Sequence, residues 1–489
     1  MFSTSDFLSL LPEFFLSASI LLETIFCLFY KKNKEQDSKR FLKINTLILL
    51  GVLVLVILGP EQIIFFQEAL EITPLIRSFK ILLLLTTLGV FSLSAISWIF
   101  RFQFVFEYPL LMLLSLLGGL FAISSNDFLV LFIGLELQTL PLYILVVFDK
   151  RSFLASEAGI KYFTLGSLAA GFFLFGISLV YGAVGTIDFN TFNSIVFLSL
   201  ESGSSWQSFP PYFFLGIIFI LGGLFFKLSL VPFHMWAPDV YEGSTTPTTL
   251  FLASCVKLVS IFVLFRLFQG PFSSVHHFFQ NLLGFVAGLS MLIGALGGMA
   301  QKNFKRLLAY SGITHMGYLL CAVIVGGSKG FTALLSYLMV YMPMVILSFT
   351  LLMILKKNYE RSGLELRELK GLAQSAPVFS FVMAGLMFSF AGIPPLGGFF
   401  GKLNVLLALV QEHIFLASIA VLSSVISCYY YLRIVKVMYF EKRDETSSEI
   451  LERWDLSFQN QFILFIILII TFGFGLLFPF LSSLIETAF

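Results

Sequence analysis

Charge is the scarcest property of this sequence. Only 12% of its 489 residues are Asp, Glu, Lys or Arg, against roughly 25% in an average soluble chain. Hydrophobic residues make up 58% and the mean hydropathy is +0.95. A chain this apolar cannot cover a water-facing surface, which excludes an ordinary soluble enzyme. A net charge of +2 with no basic stripe excludes nucleic-acid binding. Polar tracts are missing and 61 residues are Phe, which excludes disorder. Cysteine is scarce too: Cys27, Cys255, Cys321 and Cys428 stand alone in apolar runs, with no CxxC. Iron–sulfur clusters and structural zinc therefore have no ligand set, and the thiols read as small hydrophobes. No GxGxxG or Walker-type loop is present, so nucleotide and flavin sites of those kinds are not expected. The opening MFSTSDFLSLLPEFF carries Asp6 and Glu13 and no basic segment, unlike a secretory signal or an Arg-rich transit peptide. Insertion by the first helix itself is the expectation.

What the chain does have is long apolar runs. A spanning helix needs about 20 mostly apolar residues. Fourteen candidates meet this: 8–29, 42–59, 76–100, 107–124, 127–148, 156–185, 211–230, 248–268, 275–299, 304–326, 331–355, 376–398, 413–437 and 460–485. The expected fold is an all-α polytopic membrane protein. With the N-terminus outside, most of the 30 Lys and Arg fall on the inner side, and only Arg77, Lys80, Arg266 and Lys329 on the outer side. That bias follows the positive-inside rule, and adding or removing one helix would scramble it.

Three lysines belong to neither side. Lys227 lies in GGLFFKLSLVPFH, Lys257 in LFLASCVKLVSIFVLF and Lys402 in AGIPPLGGFFGKLNVL. One acid, Glu136, is similarly placed in LVLFIGLELQTLPLYIL. A charge at mid-membrane costs ~2.5–3.5 kcal/mol on insertion scales. Four of them approach a whole folding stability, where Leu would serve a merely structural helix. The functional interpretation is a string of titratable sites: desolvation loosens a lysine's proton and a nearby carboxylate tightens it. A static salt bridge, or snorkelling to an interface, is the blander interpretation, open for Lys227 and Lys402 and poor for mid-helix Lys257. His234 and His315 are possible relay members, with a structural role equally open. Glu157 and Lys161 suggest an interfacial i,i+4 pair. Glu13 and Glu23 suggest a subunit contact or a partner lysine. His276, His277 and His413 fall in outer loops.

The charged helices are also broken ones. Pro232 and Pro238 follow Lys227; Pro394, Pro395, Gly397, Gly398 and Gly401 precede Lys402. Such breaks are tolerated in a membrane where the backbone faces protein or water. Paired broken segments in corresponding halves point to a transport site near the midplane. GGLFFKL (222–228) and GGFFGKL (397–403) align without a gap, 175 residues apart, placing Lys227 on Lys402. The five helices at about 107–268 and the five at about 275–437 are similar in length, and an odd number per unit inverts the second one. The expected organisation is three helices in 1–103, a five-helix repeat in 104–268, an inverted five-helix repeat in 269–438, and an inner loop with a last helix in 439–489.

GLELQTLPLYIL, GGLFFKLSLVPFHMWAPDVYEGSTTPTT, NFKRLLAYSGITHMGY and AGIPPLGGFFGKL resemble the proton-translocating antiporter-like subunits of respiratory complex I (NADH:ubiquinone oxidoreductase), and within them the group called subunit 2. The resemblance runs over nearly the whole chain and is most specific from Phe225 to Pro247. It implies fourteen helices, with the seventh and twelfth broken. It implies that Glu136 is the fifth-helix acid paired with Lys227, that Lys257 is the eighth-helix lysine, and that Lys402 is the exit-side lysine. It implies no cofactor on this chain, with NAD, FMN, iron–sulfur clusters and ubiquinone on other subunits. The partners it implies are other membrane-arm and accessory subunits, lipids and protons. Two other readings stay open: a subunit of a multi-subunit sodium/proton antiporter, and a structural subunit with inert lysines. The Phe-rich composition and lack of a presequence suggest a mitochondrial inner-membrane protein with its N-terminus toward the intermembrane space, and a bacterial plasma membrane as the alternative.

Overall fold

The computed structural model describes residues 9–29, 36–60, 62–66, 68–97, 106–201, 209–355, 364–442, 461, 464–469 and 471–473. Helices dominate them. Three come first: α1 (Leu11–Phe29), α2 (Gln36–Leu58) and α3 (Pro74–Ser94). A small antiparallel hairpin, β1 (Ile63–Phe65) with β2 (Leu70–Ile72), joins α2 to α3. The first repeat holds α4 (Glu107–Ser124), α5 (Phe128–Val146), α6 (Phe153–Val184), α7 (Phe189–Glu201), the half-helices α8 (Pro211–Leu228) and α9 (Trp236–Gly243), and α10 (Thr246–Gln269). The second holds α11 (His276–Met299), α12 (Phe304–Val325), α13 (Gly327–Leu355), the half-helices α14 (Pro377–Ala391) and α15 (Gly397–Val410), and α16 (Ile414–Phe440).

Twelve of these are long and apolar enough to cross a membrane, and the pair α14–α15 supplies a thirteenth crossing in two pieces. The expected fourteenth span, 460–485, lies mostly outside the described residues. The hairpin and α7 had no signal as spans: the strands are three residues each, and α7 is a short amphipathic helix that seats Phe189, Phe192 and Val196 inward. Burial follows position in the bundle. α10, α12 and α13 are almost wholly enclosed, whereas α1, α2, α6 and α16 expose Leu, Ile and Phe along one side, as lipid-facing helices do.

Matching caps mark corresponding points of the two halves. Asp127 accepts from the backbone N–H of Leu129 and Val130 at the start of α5, and bridges to Asp188 beyond α6. Asn303 accepts from Lys305 and Arg306 at the start of α12, and bridges to Glu365 beyond α13. Capping satisfies the orphan donors of each helix start. By the charge bias, the first cap lies outside and the second inside.

The breaks correct the expected repeat register. α8 ends on Ser229 at φ 55° and α14 on Gly392 at φ 84°, both left-handed. Leu230 N–H donates to Phe225 O, and Ile393 N–H to Phe388 O, the same six-to-one closure. Each cap is followed three residues later by a proline, Pro232 and Pro395. These landmarks lie 163 residues apart, whereas the matching caps Asp127 and Asn303 lie 176 apart, so the 175-residue register holds at the caps and fails at the breaks. In the register of the breaks Lys402 falls on Asp239 and Lys227 on Phe390. The GG…K resemblance is thus coincident wording on opposite sides of the two breaks.

Lys80 is buried in α3 at 3% exposure, 2.6 Å from Glu13 on α1 at 1%. That is the partner lysine expected for Glu13. Removing one member of such a pair strands the other, at a cost of about 3–5 kcal/mol. Lys80→Met should therefore lower the thermal stability and membrane level of the subunit, and adding Glu13→Gln should recover most of the loss. A Lys80→Met protein that melts like the parent would show the pair to be idle.

Candidate functional site

Glu136 lies on α5, one helical turn before Thr139. Lys227 occupies the last turn of α8, where the break leaves carbonyls unpaired and the helix dipole favours a cation. Its ammonium reaches three oxygens, all at long range: Leu135 O at 3.3 Å, Glu136 Oε1 at 3.5 Å and Thr139 Oγ1 at 3.5 Å. Lys227 is 9% exposed and Glu136 20%, so the acid is less enclosed than its apolar context suggested. Snorkelling is not what the chain does here; Lys227 turns inward.

Lys257 sits in α10 immediately after a π-helical turn at Leu252–Val256. Such wide turns rotate the following side chain relative to a regular helix and are frequent at functional sites. At 1% exposure its ammonium makes no hydrogen bond among the described residues, and lies 5.6 Å from the centre of the Tyr241 ring. A cation over an aromatic face is attracted electrostatically.

Lys402 lies in the second turn of α15 and reaches back across the break. Its ammonium donates to Phe390 O at 2.9 Å, Ala391 O at 3.1 Å and Ser424 Oγ at 3.1 Å. The first two are the last carbonyls of α14, freed because the helix stops there. The break thus builds the cradle for the charge that follows it.

His315, in mid-α12, connects the second repeat. Its Nδ1 is 2.6 Å from the Tyr337 hydroxyl and its Nε2 3.3 Å from the Tyr431 hydroxyl, which is 2.5 Å from Ser311 Oγ. A cavity beside it is lined by His315, Tyr337, Tyr341, Gly398 and Gly401 among others, one residue from Lys402. His234 differs. It is buried, its Nδ1 has no partner among the described residues, and no hydrogen bond joins it to Lys227.

Several residues here escaped sequence reasoning. Half-helix α9 is held by ions: Asp239 binds Lys161 at 2.6 Å and Arg306 at 2.8 Å, and Glu242 binds Arg306 at 2.8 Å. Lys305 Nζ donates to Ser244 O at 2.7 Å. These contacts tie α9 to α6 and α12, and so fix Tyr241 over Lys257. The expected Glu157–Lys161 pair forms at 2.7 Å, but Lys161 is shared with Asp239. The signal available was APDVYEG, acids just past a helix break; their partners are 60 to 80 residues away and have no local mark. His276 and His277 begin α11 rather than lying in a loop, and His413 stands just before α16 without a side-chain capping bond.

The family model described as NADH:quinone oxidoreductase/Mrp antiporter, TM, matches residues 125–427. The chain belongs to that family. A curated relative in Paramagnetospirillum magneticum, NADH-quinone oxidoreductase subunit N, is 39% identical over 449 residues, 90% of each chain. Another of the same name in Pelagibacter ubique is 39% identical over 463 residues, 93% of this chain and 95% of its own. Among solved structures, a chain of respiratory complex I from Thermus thermophilus with bound aureothin matches with a TM-score of 0.79 at 28% identity, covering 96% of this chain and 98% of that one. A chain of the Mrp complex from Dietzia sp. matches at 0.81 with 20% identity, covering 99% and 97%, a likeness of fold alone. All four charged positions singled out from the sequence lie within the family's matched span.

Proposed function

We propose that this chain is a membrane subunit of an NADH:quinone oxidoreductase, of the subunit N kind, and that it carries protons across the membrane through Glu136, Lys227, Lys257 and Lys402, with His315 between the last two. The subunit N relatives, matched over nine-tenths of their length, support the membership. NADH oxidation and quinone reduction, with NAD, FMN, iron–sulfur clusters and ubiquinone, belong in this reading to other subunits. The relatives named above are bacterial, which favours a bacterial plasma membrane; they lend the mitochondrial placement no support.

The observation that carries the relay is Lys257. A buried lysine kept for structure has a partner; this one has no hydrogen bond among the described residues, whereas Lys227 is loosely paired and Lys402 is cradled. In the resting state Glu136 keeps Lys227 charged. When quinone reduction elsewhere weakens that pair, the proton passes from Lys227 to Lys257, then by way of His315 to Lys402, and leaves on the outer side. His234 has no contact that enlists it. In purified complex reconstituted in vesicles, Lys257→Met should cut protons moved per NADH oxidised several-fold while the complex stays assembled. Parent yield in that variant would leave the sodium/proton-type or purely structural readings in its place.

A further inference from the structure

His315 is buried in α12, and each of its ring nitrogens faces a tyrosine hydroxyl. Nδ1 lies 2.6 Å from that of Tyr337 on α13, and Nε2 lies 3.3 Å from that of Tyr431 on α16. A neutral imidazole has one nitrogen that donates and one that accepts. The surroundings decide which is which. Tyr337 is buried, and its hydroxyl has no other hydrogen-bond partner among the described residues. A proton on Nδ1 would leave the Tyr337 hydrogen buried without an acceptor, at the cost of a hydrogen bond. Tyr337 therefore donates, Nδ1 accepts, and the imidazole proton sits on Nε2. The two contacts then lead to different places. On the Nε2 side Tyr431 bonds Ser311 Oγ at 2.5 Å, and the branch stops: Ser311 Oγ has no further partner among the described residues, and the adjacent Tyr430 hydroxyl has none. The contact at Nε2 is also long for a hydrogen bond, whereas that at Nδ1 is short. On the Nδ1 side Tyr337 lines the same cavity as His315, Gly398 and Gly401. Its ring lies against α15, where a methyl group on Gly401 would be 3.3 Å from Tyr337 Cδ2. The next residue is Lys402.

We propose that Tyr337 is a member of the relay, its hydroxyl being the group through which a proton passes from His315 Nδ1 toward Lys402. The proposal rests on the relay reading above and adds a residue to it. In a charged His315 both ring nitrogens donate. The Tyr337 hydroxyl then turns to accept from Nδ1, and its own hydrogen points into the cavity. The step onward is a paired transfer. The Nδ1–H bond breaks as that proton joins the Tyr337 oxygen. The original Tyr337 O–H bond breaks as its proton crosses to the neutral amine of Lys402. His315 is left neutral, Tyr337 as it began, and Lys402 a charged ammonium, which Phe390 O, Ala391 O and Ser424 Oγ receive. Tyr431 and Ser311 take no part in the transfer; they hold the far edge of the ring.

Three replacements test this in the purified complex reconstituted in vesicles, read as protons moved per NADH oxidised. Tyr337→Phe removes one oxygen and keeps the ring against Gly401. The expected loss is at least about threefold, small beside the roughly 100-fold or more that a positioned proton-transfer group contributes. Tyr431→Phe removes the equivalent oxygen at the other nitrogen and should cost clearly less, since nothing lies beyond it for a proton to reach. A difluorotyrosine in place of Tyr337 keeps the ring, the hydroxyl and its hydrogen bond but parts with its proton more readily. An ionised hydroxyl has no proton to pass on, so the fall in proton yield on raising pH should set in at lower pH than in the parent. A tyrosine that only holds the ring would leave that profile in place. Parent yield with Tyr337→Phe, or a loss with Tyr431→Phe as large as that with Tyr337→Phe, overturns the proposal. Should Tyr337→Phe not assemble, the difluorotyrosine profile decides by itself, and an unshifted profile overturns the proposal. Lys257→Met separates the two levels: a harmless Lys257→Met removes the relay and this role of Tyr337 together, whereas a damaging one beside a harmless Tyr337→Phe removes the role of Tyr337 alone.

Discussion

Replacing Lys227 by Arg is expected to stop proton movement nearly as completely as replacing it by Ala, with a loss of about tenfold or more in coupled NADH:quinone activity. The charge is kept in the first case, so any purely electrostatic or structural duty should survive it. The ammonium sits 3.3–3.5 Å from Leu135 O, Glu136 Oε1 and Thr139 Oγ1. At that range and an effective dielectric near 20 the attraction to Glu136 is on the order of 4 kcal/mol, and a tenfold rate change needs only ~1.4 kcal/mol. A modest change at Glu136 is thus enough to move the proton. Arginine does not release one in this range, and its planar fork does not fit three divergent acceptors. Glu136→Gln should act in the same direction by releasing Lys227 from its partner permanently. Proton yield per NADH in vesicles, with complex content measured alongside, checks the set. If Lys227→Arg pumps like the parent, the proton on this side chain never leaves, and the relay does not begin here.

How much of this was legible beforehand depends on the range of the signal. The helices were, because a run of 20 apolar residues is a local property and the bilayer imposes the length. So were Lys227, Lys257 and Lys402, because a charge in such a run stands out without any knowledge of contacts. The hairpin and α7 were not, being short and held by tertiary packing. The repeat register was misread for a physical reason: glycine, phenylalanine and lysine recur in apolar segments, whereas the landmarks that do correspond are backbone conformations, a left-handed cap at Ser229 and at Gly392. Only one of the two is glycine, so composition could not flag both. The Lys80–Glu13 pair was not legible, because in the second turn of a helix an interfacial and a buried lysine look alike until Glu13 is found beside it. The ion cluster on α9 depends on residues tens of positions apart. No periodicity records such pairs.

The junction of α14 and α15 should prove the least tolerant place in the second repeat. A methyl group on Gly398 would lie 1.8 Å from Ser389 O and 2.7 Å from Ser389 C. These are backbone atoms in the last turn of α14, so nothing flexible can give way. Gly398 N–H also donates to Ser389 Oγ at 3.1 Å, holding the two half-helices in register. Overpacking a core typically costs ~1–3 kcal/mol and more against rigid neighbours, out of a total stability of ~5–15 kcal/mol. With Gly398→Ala, α15 must move off α14, and Lys402 one turn later then loses Phe390 O and Ala391 O as acceptors. The expected outcome is a subunit that fails to accumulate in the membrane, or an assembled complex with at least about tenfold lower proton yield, a ~1.4 kcal/mol effect on the barrier. Gly171→Ala on α6 is the matched control, since nothing lies within 4 Å of the added methyl group and alanine is the better helix former by up to ~1 kcal/mol. Subunit content by quantitative immunoblot, then proton yield, reads both. If Gly398→Ala accumulates and pumps as Gly171→Ala does, the close approach of the half-helices is not what sets Lys402 on its carbonyls, and the break is only a bend in a helix rather than the seat of the outer proton site.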